Sequence, residues 1–193
     1  MNKVFVTSDT HFGHDNIIKY CNRPFSNSEE MNKSLIERWN SRVSEADTVV
    51  FLGDFAMGRG VTEQLIVSIL NRLNGYKFMI LGNHDMPSKY SIGLKAIVEK
   101  NQLEKVTICN EQIHSFKHGH VEFVCCHYPL AEWDQKHRGS VNLHGHVHTE
   151  FNKHELHQMR QMHRYDIGVD MYGGPVQITD DMRYLNDPHG WAV

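Results

Sequence analysis

Five short runs of sequence end in side chains that bind divalent metal ions, and each follows an apolar stretch. Their donors are the oxygen and nitrogen atoms of Asp, Asn and His, which suit borderline metals such as Mn, Fe, Zn or Ni. A site for Mg or Ca would contain more oxygen ligands and fewer imidazoles. One such run is common by chance, whereas five in series indicate a metal site. The runs are Ser8-Asp9-Thr10-His11, Gly53-Asp54, Gly82-Asn83-His84-Asp85, Cys126-His127-Tyr128-Pro129 and Gly145-His146-Val147-His148.

One chemistry that such a set of ligands would support is the hydrolysis of phosphate esters. Phosphate esters resist hydrolysis because an anion must attack an anion. Two divalent metals about 3.5–4 Å apart neutralise the phosphate oxygens and lower the pKa of a bound water. A carboxylate must then bridge the ions, while each other ligand faces one of them. His146 and His148 are two positions apart, so in an extended segment both would face the same side.

In type and order, the runs resemble those of the calcineurin-like metallophosphoesterases, and the resemblance covers residues 9 to 148. It implies an α/β protein, a four-layer α/β/β/α sandwich with two facing mixed sheets flanked by helices. It also implies two divalent metal ions per chain, with manganese as first choice and iron, zinc or nickel as alternatives. The implied ligands are Asp9, His11 and His148 for the first metal, Asn83, His127 and His146 for the second, and Asp54 as the bridge.

The same resemblance implies catalytic roles for two residues that do not bind metal. His84 would contact the phosphate and protonate the leaving oxygen, and Asp85 would orient His84 as a carboxylate orients a catalytic imidazole. A metal-bridging hydroxide would attack phosphorus in line.

Substrate binding is assigned to Asn83, in addition to its metal role, and to three further candidates. His14 borders the first run, with a helix-start or surface role as the alternative. Arg160 and Arg164 lie in the basic segment that follows the last run, and guanidinium groups suit phosphate oxygens. A solvated loop is the alternative for both arginines.

The elements of the first half place the runs at strand ends. Apolar stretches predict strands over 3–8, 47–52 and 77–81, each followed by one of the runs. In open α/β sheets, ligands bind beyond the carboxyl ends of the strands. The predicted helices are one that follows a capping box at 26–29 and runs to Val43, one over 61–73 and one around 91–100.

The second half is predicted to be rich in strands. We expect each half of the chain to form one sheet, and the two sheets to pack face to face with helices outside. His118-Gly119 is predicted to be a hairpin turn. Asp166 and Asp170 are interpreted as structural residues of the last strand. The predicted elements are strands over 104–109, 111–118, 120–126, 140–144 and 164–170 and a helix over 179–185.

Length and composition indicate one soluble domain over residues 1–193. No apolar run approaches the ~20 residues of a membrane span, and the N-terminus lacks the features of a signal peptide. The four cysteines form no C-x-x-C pair, so we expect reduced, partly buried thiols that are not needed as metal ligands, which favours a cytoplasmic protein. The net charge of −3 argues against broad binding to duplex nucleic acid.

These observations predict a metal-dependent phosphodiesterase or phosphomonoesterase. Its substrates would be small, nucleotide-like or otherwise accessible phosphate esters, including nucleic-acid ends, and no membrane partner is expected. The alternative is a non-catalytic metal-binding scaffold of the same fold. Such a scaffold would have an eroded site, whereas His84 and every expected ligand are present here. The sequence leaves open the choice between monoesters and diesters, as well as the oligomeric state.

Overall fold

A computed structural model describes residues 2–89, 91–148, 161–179 and 190–191. The first sheet has five strands in the order β4-β3-β2-β1-β9. Its first four strands in chain order are parallel, and the last pairs antiparallel with β1. The strands are β1 (Val4–Thr7), β2 (Thr48–Phe51), β3 (Tyr76–Met79), β4 (Val106–Ile108) and β9 (Val176–Gln177).

The second sheet has four strands in the order β5-β6-β7-β8. Its edge strand β5 is antiparallel to β6, and the other pairs are parallel. Both sheets are therefore mixed, which confirms the predicted class of two mixed sheets with helices. The strands are β5 (Ile113–His118), β6 (Val121–Cys126), β7 (Val141–His144) and β8 (Arg164–Asp166).

Helices cover the outer face of the first sheet, and their apolar residues form one core with it. Successive side chains of a strand point to opposite faces. Phe5 of β1 thus joins the helices, whereas Val6 joins the second core, which lies between the sheets. The described helices are α1 (Asp15–Tyr20), α2 (Ser28–Arg42), α3 (Glu63–Arg72), α4 (Leu94–Lys100) and α5 (Val169–Tyr172), with a 3₁₀ turn at Lys136–Arg138.

The division of the strands between the sheets differs from the prediction of one sheet per half. Strand β4 pairs with β3 in the first sheet, and β9 returns from the end of the chain to pair with β1. The strand predicted over 164–170 ends at Asp166, and α5 follows it. The helix predicted over 179–185 lies, but for its first residue, outside the described residues.

Two local predictions are wrong by one position. The N-cap of α2 is Asn27, whose side chain accepts a hydrogen bond from the N–H of Glu30, so the cap lies one residue later than predicted. The β5–β6 hairpin turns at Gly119 and His120, because His118 is still paired with Val121. Within the described residues, no helix is long and apolar enough to cross a membrane.

The parallel strands bring the five runs to one edge of the molecule. Asp9, Asp54 and Asn83 follow β1, β2 and β3, and His127 and His146 follow β6 and β7. Backbone hydrogen bonds join neighbouring loops, since the N–H of Asp9 donates to Gly53 and that of His11 to Asp54. Residues far apart in sequence therefore meet beyond the carboxyl ends of the parallel strands.

Candidate metal centre

The backbone is strained at the predicted metal ligands. Nine described residues other than glycine have a positive φ, a conformation that is sparsely populated for L-residues and concentrated at functional sites. Five of the nine are predicted ligands. They are Asp9 (φ 56°), His11 (49°), Asp54 (60°), His146 (71°) and His148 (46°).

One group of donors is formed by Asp9, His11 and His148, whose ligand atoms all lie within 4.8 Å of one another. The Nε2 atoms of both histidines lie 3.9 Å from Oδ1 of Asp9. Burial raises the pKa of Asp9 to about 7. A buried carboxyl group of this kind gains most from a nearby cation.

A second group is formed by Asp54, His127 and His146, again within 4.8 Å. Asn83 belongs to the same group, because its Oδ1 lies 3.1 Å from Nε2 of His127. Oxygen and nitrogen donors thus face a common space, as in the first group.

Asp54 lies between the other donors of the second group and those of the first. Its Oδ2 is 3.5 Å from Nε2 of His11 on one side and 3.5 Å from Nε2 of His127 on the other. Burial alone would raise the pKa of Asp54. Contacts with His127, the N–H of His84 and the ring of His11 instead lower this pKa to about 2. The carboxylate is therefore an anion placed to contact ions on both sides.

The residues present fit divalent metal ions. Both ring nitrogens of His11 are buried without a hydrogen-bond partner, an arrangement that is costly unless a ligand supplies one. Glycines let the backbone of two runs pass close to the carboxylates of Asp54 and Asp9. A Cβ at Gly82 would overlap the carboxylate of Asp54, and one at Gly145 would overlap that of Asp9.

Two of the imidazoles are held through Nδ1, with Nε2 facing the other donors of their group. Nδ1 of His127 lies 2.7 Å from the carbonyl oxygen of Leu52, and Nδ1 of His148 lies 2.8 Å from Oδ2 of Asp170. A hydrogen bond at one ring nitrogen fixes the tautomer and leaves the other nitrogen for a metal. Asp170 therefore supports the site, although sequence reasoning gave it only a structural role.

Arg23 fixes Asp170 and the first run at the same time. Its Nε and Nη2 each donate to Asp170 at 2.8 Å, while Nη2 and Nη1 also donate to the carbonyl oxygens of Asp9 and Thr10. Sequence reasoning missed Arg23. It lies 147 residues from Asp170, and no local pattern connects the two.

His84 and Asp85 have different environments. The His84 side chain is 34% exposed, and its Nε2 lies 3.9 Å from Oδ2 of Asp54, at the open side of the site. Asp85 is buried, and its oxygens accept hydrogen bonds from the N–H groups of Asp54, Phe55 and Gly82. Burial raises the pKa of Asp85 to about 6. These contacts differ from those expected for a residue that orients His84, so Asp85 is better described as holding the two loops together.

The other predicted substrate-binding residues differ in their distance from the two groups of donors. The His14 ring lies 5.7 Å from that of His11, between centroids, and His14 also occupies the N-cap position of α1. Arg164 begins β8 and donates to the carbonyl oxygen of Leu130, and within the described residues it makes no hydrogen bond to a member of the two groups. The structure therefore does not place Arg164 at the site as predicted. Arg160 lies outside the described residues.

Comparison with known proteins gives one family and several relatives. A family model described as calcineurin-like phosphoesterase matches residues 2–172. A protein of Methanocaldococcus jannaschii is 53% identical over 85 residues, which are 44% of this chain and 48% of that protein, so the match spans about half of each. The gene 66 protein of Mycobacterium phage D29 is 28% identical over 97% of this chain and 98% of its own length. A solved structure from Aquifex aeolicus, of a protein of unknown function, has a TM-score of 0.66 at 19% identity, covering 92% of this chain and 96% of that one, and shows the same fold.

Proposed function

Because the chain belongs to the calcineurin-like phosphoesterase family, we propose that it hydrolyses phosphate esters with two divalent metal ions. The observation that carries the proposal is the position of Asp54, which lies between two groups of oxygen and nitrogen donors. Asp9, His11 and His148 would hold one ion, and Asn83, His127 and His146 the other. When bound, the ions would neutralise the phosphate oxygens and lower the pKa of the attacking water. Mixed imidazole and carboxylate donors favour manganese, iron, zinc or nickel.

The residues of the chain would position the reactants. Asp54 stays ionised at neutral pH, so it can hold two cations together. His84 lies at the open side and is partly exposed, so a phosphate bound over Asp54 would be within its reach. From that position the imidazole would donate a proton to the leaving oxygen. Asp85 would act indirectly, because its hydrogen bonds fix the loops that carry Asp54 and Gly82.

The substrates that we propose are small phosphate esters, including nucleotides and accessible nucleic-acid ends. Asn83 and His84 are both exposed, so the site can receive a phosphate from solvent. The net charge of −3 gives the protein no general attraction for duplex nucleic acid. Whether monoesters or diesters are preferred depends on which residues contact the ester groups of the substrate. Turnover of a monoester and a diester, measured side by side, decides between them.

The test is hydrolysis of p-nitrophenyl phosphate and bis-p-nitrophenyl phosphate by metal-stripped protein supplied with Mn²⁺, Ni²⁺, Zn²⁺ or Mg²⁺. We expect metal-dependent turnover, which Asp54→Asn abolishes because a neutral amide bridges two cations poorly. Asp47→Asn is the matched control, since Asp47 is also buried but hydrogen-bonds Lys3 and Ser44 far from the ligands. Two bound ions with no turnover of either ester would contradict the proposal and favour a metal-binding scaffold.

A further inference from the structure

Outside the metal centre, three metal-binding side chains meet where the chain crosses from the first sheet to the second. They are Cys109, directly after β4, Glu111 in the connecting bend, and His114 in β5. One ligand atom from each lies within 4.8 Å of the other two. Strand β4 is two strands from β2, about 10 Å at the usual strand spacing. The group is therefore a neighbour of the metal centre and shares no residue with it.

The three side chains are held in place by packing. The N–H of Cys109 donates to the carbonyl oxygen of Met79 at 2.8 Å, which anchors the end of β4. The ring of His114 packs on that of Phe78, with 4.6 Å between centroids. Cys109 and Phe78 both border the core between the sheets. The thiol thus comes from an edge strand of one sheet, and the imidazole comes from an edge strand of the other.

None of the three donors is used by the protein itself. Within the described ranges, the side chains of Cys109, Glu111 and His114 have no hydrogen-bond or ion-pair partner. The polar side chain between them is used, since Asn110 accepts a hydrogen bond from Lys95 at 2.8 Å. Three donor atoms that lie within 4.8 Å of one another without hydrogen-bonding are arranged to share a cation.

The donor types select the class of cation. A thiolate, an imidazole and a carboxylate together suit zinc and similar borderline metals, and disfavour Mg²⁺ and Ca²⁺. Around one zinc ion, ligand atoms lie about 3–4 Å apart, and a water completes the tetrahedron. Glu111 is exposed and the other two side chains are partly exposed, so an ion can enter from solvent.

We propose that Cys109, Glu111 and His114 bind a zinc-type divalent cation, which joins the edge strands of the two sheets. Binding displaces the thiol proton to solvent, because the thiolate is the metal ligand. The ion stabilises the native state, since the unfolded chain does not hold the three donors together. The site is independent of phosphate ester hydrolysis.

The test is a titration of metal-stripped protein with Co²⁺, in which a thiolate ligand gives a charge-transfer band in the near ultraviolet. We expect this band in the unchanged protein and its loss in Cys109→Ser. Cys21→Ser is the matched control, because Cys21 lies beside His148 and Asp170 at the metal centre. We expect Cys21→Ser to keep the band.

Two further variants keep the test valid if Cys109→Ser folds poorly. His114→Asn and Glu111→Gln retain the thiol. Each should raise the Co²⁺ concentration that gives half of the full band, on the order of tenfold or more. No band at saturating Co²⁺, or a band that survives Cys109→Ser, would overturn the proposal. So would a band lost only in Cys21→Ser, which would assign the thiolate to the metal centre. Turnover of phosphate esters, measured in parallel, is expected to be unchanged in Cys109→Ser.

Discussion

Replacing Asp170 with Asn tests whether this carboxylate orients a metal ligand. Asp170 accepts a hydrogen bond from Nδ1 of His148 and two from Arg23, all at 2.8 Å. An Asn side chain has the same size but only one accepting oxygen. Its NH₂ group would face His148 or Arg23, which are themselves hydrogen-bond donors. The His148 ring would then lose its fixed orientation, and its Nε2 would no longer be held toward Asp9.

The expected loss of metal affinity follows from the role of a residue that hydrogen-bonds to a metal-binding histidine. Removing a residue that orients a metal-binding histidine costs about 10–100-fold in metal affinity, or about 1.4–2.7 kcal/mol. Only the first group of ligands contains His148, so the second ion should bind normally. The Arg23–Asp170 pair is buried, with side chains 0% and 7% exposed. Breaking such a pair costs up to about 3–5 kcal/mol of folding free energy, so stability must be measured separately.

The assay is calorimetric titration of metal-stripped protein with Mn²⁺, together with thermal unfolding. Asp170→Asn should weaken one of two binding events and leave the other unchanged. Asp47→Asn serves as the control for stability alone, because its hydrogen bonds to the N–H of Lys3 and to Ser44 also involve a buried carboxylate. A folded Asp170→Asn protein with unchanged affinity at both sites would refute the reasoning. So would an equal loss in Asp47→Asn, which would make the effect one of stability.

Three other outcomes are expected at the metal centre. His84→Ala should retain both metal ions, measured by elemental analysis, and lose about 10²–10⁴-fold in kcat, the usual contribution of a general acid; an emptied site would instead make His84 a ligand. Affinity for Mn²⁺ should fall by about tenfold per pH unit for each displaced proton as the pH is lowered from 8 to 6. The protons come from Asp9 and His148, because in metal-free protein burial raises the pKa of Asp9 to about 7, and hydrogen bonding to Asp170 raises that of His148 to about 10 against the effect of burial. A Mn²⁺ affinity that did not change between pH 8 and pH 6 would contradict the assignment. Gly145→Ala should abolish binding of the first ion, because its Cβ would overlap the Asp9 carboxylate, and full occupancy by calorimetry would show that the loop can move.

The meeting of the predicted ligands in one place could be expected from the sequence, because the runs that contain them follow strands with a clear apolar pattern. A side chain at the carboxyl end of a parallel strand has little choice of position, so Asp9, Asp54 and Asn83 had to meet at one edge. The order of the runs carried the family resemblance, which implied how the ligands divide between the two ions. The resemblance also implied that Asp85 orients His84, but Asp85 instead accepts hydrogen bonds from three backbone N–H groups.

The supporting residues could not be predicted from local sequence. Arg23 and Asp170 meet only because α5 packs beside the loop after α1, across 147 positions of sequence. The assignment of strands to sheets failed for a related reason. β4 has three residues and β9 has two, so neither carries enough pattern to indicate its partner. Pairing of such short edge strands is decided by tertiary packing rather than by propensity.

Backbone strain and buried polar groups at the predicted ligands oppose folding, and Arg23 helps the fold to retain them. Five ligands have strained backbone, His11 has two buried nitrogens without partners, and Asp9 is buried as a carboxyl group with a raised pKa. Each of these features destabilises the native state until a cation binds. Arg23 donates to the carbonyl oxygens of Asp9 and Thr10 within the strained loop, and also fixes Asp170. These hydrogen bonds fix the backbone of the loop, so under the proposed function Arg23 would reduce the ordering that metal binding requires.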